Sequence, residues 1–205
     1  MKTLIAFFIL CAVVSCTGPV FVAKDANEGI RTSYPDPKLT ALSADNHANL
    51  RDIYQRYQRA GVDVYPNGIG FTSLSDGQGK KYYYLLVEVR PRDISFGQEQ
   101  TTPEKRFGEV FERQFEKNLR YLRPQDVQAD GIDGLAFGVY WPVRDLSQCD
   151  TYGGFLEYAI IYLKKADFID MINGQMDFSQ AAKNAEIVRS LGLQKPDSIR
   201  VIETE

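Results

Sequence analysis

The chain has 205 residues, with 24 Lys plus Arg against 27 Asp plus Glu, a formal net charge of −3 and a single histidine. A mildly acidic chain without a basic run lacks the phosphate-neutralising surface that nucleic-acid binding needs. The length suits one domain with a sizeable core plus an N-terminal extension.

Lys2 precedes an apolar run from Leu4 to Val14. Crossing a hydrocarbon core takes about 20 apolar residues, so the run is too short to span and right for the core of a secretory signal. It ends in Val13-Val14-Ser15-Cys16, which resembles the lipobox of bacterial lipoproteins. The resemblance covers residues 1–16 alone, and an ordinary cleaved signal and an uncleaved anchor are the competing readings. It implies cleavage between Ser15 and Cys16, and a covalent lipid on Cys16 as the chain's only prosthetic group. One acyl chain holds a protein marginally, at about 0.8 kcal/mol per buried CH₂, whereas several hold it stably. In Gram-negative lipoproteins an Asp after the lipidated Cys tends to retain the protein in the inner membrane. Thr17 at that position implies the outer membrane, facing the periplasm. With Cys11 in the signal and Cys16 acylated, Cys149 is the remaining thiol, and no intramolecular disulfide forms.

Residues 16–44 read as the lipidated cysteine and a tether, with sparse apolar positions and the turn-rich Tyr34-Pro35-Asp36-Pro37. Lys38 to Leu42 reads equally well as an ordered arm. A single domain is expected over 45–205. Leu50, Ile53, Tyr54 and Tyr57 recur at helical spacing, predicting a helix from about Asp45 to Ala60. Strands follow at Val62 to Tyr65 and Ile69 to Leu74, with Pro66-Asn67-Gly68 as a turn between them. After the turn Ser75 to Gly79 comes a strand from Lys81 to Arg90. In that strand Tyr83, Leu85, Val87 and Val89 share one face, while Tyr82, Tyr84, Leu86, Glu88 and Arg90 share the other. One clean apolar face marks an antiparallel sheet half-covered by helices.

The next helix is expected from Pro103 to Leu122, with Thr101 or Thr102 as cap and Phe107, Val110, Phe111, Phe115, Leu119 and Leu122 as its buried stripe. Leu135 to Val143 and Phe155 to Leu163 form a second strand pair, the latter apolar on both faces and so central. A short helix from Ala166 to Ile172 and a longer one from Asp177 or Phe178 to Leu191 end the regular structure, with a strand-like tail from Pro196. Asn67-Gly-Ile-Gly-Phe71 and Asp133-Gly-Leu-Ala-Phe137 each open a strand after a helix. That echo fits either two helix–strand–strand units or the turn residue plus Gly that commonly precedes strands. The expected fold is α+β: a two-layer sandwich of a mainly antiparallel sheet with helices packed on one face.

Catalytic signals are sparse. Cys149 has no base nearby in sequence, the lone imidazole being His47, and Asp150 would raise its pKa. Asp126, Asp130 and Asp133 cluster, but their spacing matches no calcium loop, and Asp-Gly steps serve turns. One Cys and one His cannot supply a structural zinc site, so no metal is expected. Gly77-Gln-Gly-Lys80 reads as a hairpin turn rather than a phosphate loop, since strand-forming tyrosines follow instead of a helix. The remaining signal is aromatic: Tyr82, Tyr84, Tyr140 and Trp141, with Tyr152 and Tyr158, make a candidate recognition face or serve the core. The leading expectation is a membrane-anchored, non-enzymatic envelope lipoprotein that binds a protein partner or serves an envelope assembly. The alternative is an envelope hydrolase or ligand-binding enzyme acting on cell-wall or glycan material through Asp130 and Asp133.

Overall fold

The computed structural model describes residues 22–97, 101–144 and 154–190, together with the backbone of 197–199. Order begins earlier than the sequence suggests. Ala23 donates its backbone N–H to Val64 and is buried. Asp25 caps the short helix α1 (Ala26–Gly29) with its side chain. Ile30 then forms a parallel bridge with Ile69 at the sheet edge. Asp36 caps α2 (Pro37–Asp45), where Pro at the first position loses no hydrogen bond. Leu39 and Leu42 of that helix enter the core. The expected tether over 16–44 is therefore corrected: from residue 22 onward the chain belongs to the domain, held by buried apolar side chains and backbone hydrogen bonds. The expected single helix from Asp45 is a pair, with α3 (His47–Arg59) following Asn46.

Strand β1 (Asp63–Ser75) is continuous, and the Pro66-Asn67-Gly68 turn is an irregularity within it. Its register with β2 (Lys81–Arg90) jumps between Val64 and Ile69, and Asn67 has φ 56°. A bulge is one of the few places where a strand accepts Pro. The hairpin turn is held by Asp76, whose carboxylate accepts from the backbone of Gln78 and Lys80. After β3 (Phe96–Gly97), α4 (Pro103–Val110) starts on Thr102 as cap. It passes through a π turn (Phe111–Phe115) into α5 (Glu116–Leu119). Residues spaced by four over-rotate about 40° per step in an α-helix. The wider turn offsets that drift, so Phe107–Phe111 and Phe111–Phe115 stay in ring contact, at 5.5 and 5.3 Å, and Phe115 meets Phe137 edge-on at 5.9 Å.

A 3₁₀ turn (Pro124–Val127) leads to β4 (Gly134–Arg144) and β5 (Gly154–Lys164), then α6 (Lys165–Ile172) and α7 (Phe178–Lys183). The expected long final helix stops at Lys183. Glu186-Ile-Val-Arg-Ser190 is instead β6 (Glu186–Ser190), pairing with β5, and β7 (Asp197–Ile199) pairs with β6. The open edge of β5 offers backbone partners and a core position for Ile187, which outweigh the weak helical pattern.

The strands lie in the order β1-β2-β4-β5-β6-β7, and β3 pairs with β4 beyond the end of β2. All neighbours are antiparallel except β2 and β3, which run parallel to β4. The fold is thus α+β, two-layered and mainly antiparallel. Leu85, Val87 and Val89 of β2 align with Leu135, Phe137 and Val139 of β4, and this face carries every helix of the core cluster. Both helix–strand–strand units are present in order, α3-β1-β2 and α4/α5-β4-β5. Because β2 and β4 run parallel while both helix sets cover one face, the units are mirror arrangements, and no rotation superposes them.

Two buried ion pairs pin the helical layer. Arg106 of α4, 2% exposed, bonds both carboxylate oxygens of Glu157 on β5, at 2.8 and 2.6 Å. Trp141 donates its indole N–H to the same carboxylate at 2.8 Å. Arg56 of α3 bonds Asp126 at 2.7 and 2.8 Å and the carbonyl of Tyr121 at 2.5 Å.

Candidate functional site: the tyrosine face of the sheet

Period-two alternation puts Tyr82, Tyr84, Leu86 and Glu88 on the face of β2 opposite the helices. Antiparallel and parallel register bring Tyr140 of β4 and Tyr158, Ile160 and Tyr162 of β5 onto that same face. Among the described residues no helix residue joins the small apolar cluster there, which is Tyr84, Leu86 and Ala136 with Leu74, Tyr82, Ile160 and Tyr162 packed against it. The rings themselves cover the strands. At one end Tyr65, which follows the core-facing Val64 and so lies on the opposite face, stacks on Tyr140 at 4.2 Å and 10°, and Tyr140 stacks on Tyr158 at 5.2 Å and 28°. Toward the other end Tyr84 meets Tyr162 edge-on at 5.2 Å. Such contacts contribute about 0.5–1.5 kcal/mol each beyond area burial.

Glu88 lies under the stacked end and is 5% exposed. Its side chain rests across Gly138, its register partner on β4; a Cβ at that glycine would stand 3.0 Å from Glu88 Cγ and 3.2 Å from Ile160. Tyr140 donates its hydroxyl to Oε1 at 2.8 Å, and the guanidinium of Arg31 stands 3.8 Å from Oε2. Burial pushes the Glu88 carboxyl up from the usual range, against the opposing pull of the Tyr140 hydroxyl and Arg31. Burial likewise raises the phenols of Tyr65, Tyr84 and Tyr158, pushes Tyr162 up to about 12, and with Glu88 beside it holds Tyr140 far above the phenol range. The face therefore presents neutral hydroxyls and ring faces near neutral pH.

Of the expected recognition residues, Tyr82, Tyr84 and Tyr140 share this face. Trp141 does not: it is fully buried on the helix-covered side, bonded to Glu157. Neighbours on a strand point to opposite faces, so Tyr140 and Trp141 cannot belong to one surface. Tyr65, Tyr162 and Glu88 complete the site. Tyr162 shares parity with Tyr158, and Tyr65 shares parity with Asp63, the register partner of Arg90 on this face.

The three loop carboxylates are separated by role. Asp126 is buried against Arg56 and accepts from the Arg123 backbone. Asp133 accepts from the Tyr83 backbone at 2.7 Å, locking the start of β4 to β2. Asp130 is exposed. His47 opens α3 and is exposed. Ser15, Cys16, Cys149 and Tyr152 lie outside the described residues. Among the described residues no group of three or more His, Cys, Asp or Glu is placed to hold a metal, and no helix is long and apolar enough to cross a membrane. No protein-family model matches the chain, and neither a curated protein nor a solved structure matches it.

Proposed function

We propose that the protein is a lipid-anchored envelope component that works by binding, offering its tyrosine face to a protein partner. The observation that carries this reading is a sheet face over which no helix packs among the described residues, built from ring faces and neutral hydroxyls. Tyrosine supplies large amphipathic contact area at low entropic cost, and it is enriched at protein interfaces. The lipobox-like Val13-Val14-Ser15-Cys16 supports attachment through an acylated Cys16. Thr17 after it supports the outer membrane, with the domain in the periplasm. Of the carboxylates in the catalytic alternative, Asp133 is engaged by the Tyr83 backbone N–H, which leaves that alternative resting on the exposed Asp130.

The test is recovery of a stoichiometric envelope protein with the tagged chain in mild detergent, comparing wild type with Tyr82→Ala and Tyr162→Ala. Loss of the partner with retained thermal stability is expected. An unchanged partner in folded variants would remove the face from the interaction. Cys16→Ser is expected to release the protein from the membrane fraction, and a variant that stays membrane-bound would remove the anchor.

A further inference from the structure

Ala23, near the start of the described residues, stands only seven positions after Cys16. Ala23 is hydrogen-bonded to Val64 at the start of β1, and a fully extended chain advances at most ~3.3–3.6 Å per residue, so the link reaches no further than ~25 Å. The attachment point lies at a particular end of the sheet. Val64 pairs with Val89 and Asp63 with Arg90, and Tyr65 follows directly, stacked on Tyr140. The start of β1, the close of β2 and the Tyr65–Tyr140–Tyr158 stack therefore share the end from which the link departs. The β1–β2 hairpin tip is remote: ten residues of β2 span ~30 Å at about 3.3 Å per residue.

We infer that the Tyr65 end of the open face rests on the bilayer surface, held there by the seven-residue link to an acylated Cys16; this rests on the lipid anchor proposed above. The occupant is the phospholipid headgroup layer, the surface that so short a link keeps within reach. The chemistry fits. Tyrosine rings with a polar tip settle where hydrocarbon meets water. Arg31, whose side chain is one-third exposed while its guanidinium bonds the Asn67 carbonyl and faces Glu88, and the half-buried Arg90, register partner of Asp63, add positive charge at this end. The arrangement leaves Tyr82, Tyr84 and Tyr162 farther from the membrane, free for a protein partner.

The experiment uses the full acylated chain in liposomes of phosphatidylethanolamine and phosphatidylglycerol, with Cys149→Ser to remove the native thiol. A fluorophore is placed through Arg92→Cys, exposed just past the close of β2 at the near end, or Gln78→Cys in the hairpin turn. Headgroup-nitroxide lipid is the quencher. Several-fold stronger quenching at the near site is expected. It should fall toward the hairpin value when Tyr65→Ala and Tyr158→Ala are added, or when about 20 Gly/Ser residues are inserted after Thr17. The inserted variant leaves the domain's own residues intact, so its readout survives if the tyrosine variant fails to fold. Equal quenching at the two sites would overturn the inference, as would near-site quenching that ignores both changes. Mass measurement of the N-terminal peptide reports acylation separately, so an unmodified Cys16 is distinguished from an acylated protein that stands off the bilayer.

Discussion

Tyr140 and Glu88 face one another across two parallel strands, and the phenol donates a 2.8 Å hydrogen bond to a carboxylate that is almost wholly buried. The pair is possible because the register partner of Glu88 is Gly138, whose missing side chain leaves the space in which the carboxylate lies. A buried acid with one neutral donor and one distant guanidinium is incompletely compensated, and it gives the face a measurable pH signature.

Glu88 has a folded-state pKa above its ordinary value of 4.5. The folded state then holds the proton more tightly than the unfolded state. Stability from this group is fully present below the ordinary value and is lost as pH rises through the raised one. Relative to wild type, Glu88→Gln should therefore gain stability as pH rises from about 4 toward neutrality. Thermal melts of both proteins across that range test this, and a pH-independent difference would contradict it.

Gly138→Ala should displace Glu88 and strain Ile160, costing about 1–3 kcal/mol. Adding Glu88→Ala should recover part of the loss, because the clashing Cγ is gone. Urea midpoints of the two single variants and the double variant give the coupling. Simple additivity would mean that the two positions do not meet.

Arg106→Met should cost about 3–5 kcal/mol, since it removes the buried guanidinium that bonds both oxygens of the Glu157 carboxylate. Arg106→Met with Glu157→Gln should cost less than the sum of the single changes, the amide still accepting from Trp141. Equilibrium denaturation distinguishes these outcomes.

The carboxylates over 126–133 should separate sharply in stability. Asp126→Asn removes the buried one of the two carboxylates on Arg56, leaving only the half-exposed Asp52, and should destabilise by about 3 kcal/mol. Asp130→Asn, on an exposed turn residue, should stay within about 0.5 kcal/mol. Similar effects at the two positions would argue against the structural role of Asp126.

Much of the sheet was legible because its signals are local. The alternation through Lys81 to Arg90 assigned each residue its face, and the apolar run through Phe155 to Leu163 marked a strand paired on both sides. The cap at Thr102 and the i,i+4 pairs Glu109–Arg113 and Glu116–Arg120 also follow from spacing. Residues 178–190 were harder, because a short amphipathic stretch suits helix or strand, and the unpaired edge of β5 settled the choice. Residues 22–45 lacked a sustained period, yet separate anchors at Ala23, Ile30, Leu39 and Leu42 bind them to the core.

By itself the sequence determined which residues share a strand face and where turns interrupt the chain, because backbone periodicity and turn chemistry act over a few residues. Tertiary structure alone decided that β2 lies parallel to β4, which sets Glu88 over Gly138 and under Tyr140. It also brought Tyr65 of β1 to Tyr140 of β4 across the intervening β2. Strand pairing joins residues fifty positions apart, and the burial gained by closing one core selects among pairings that local pattern leaves equal.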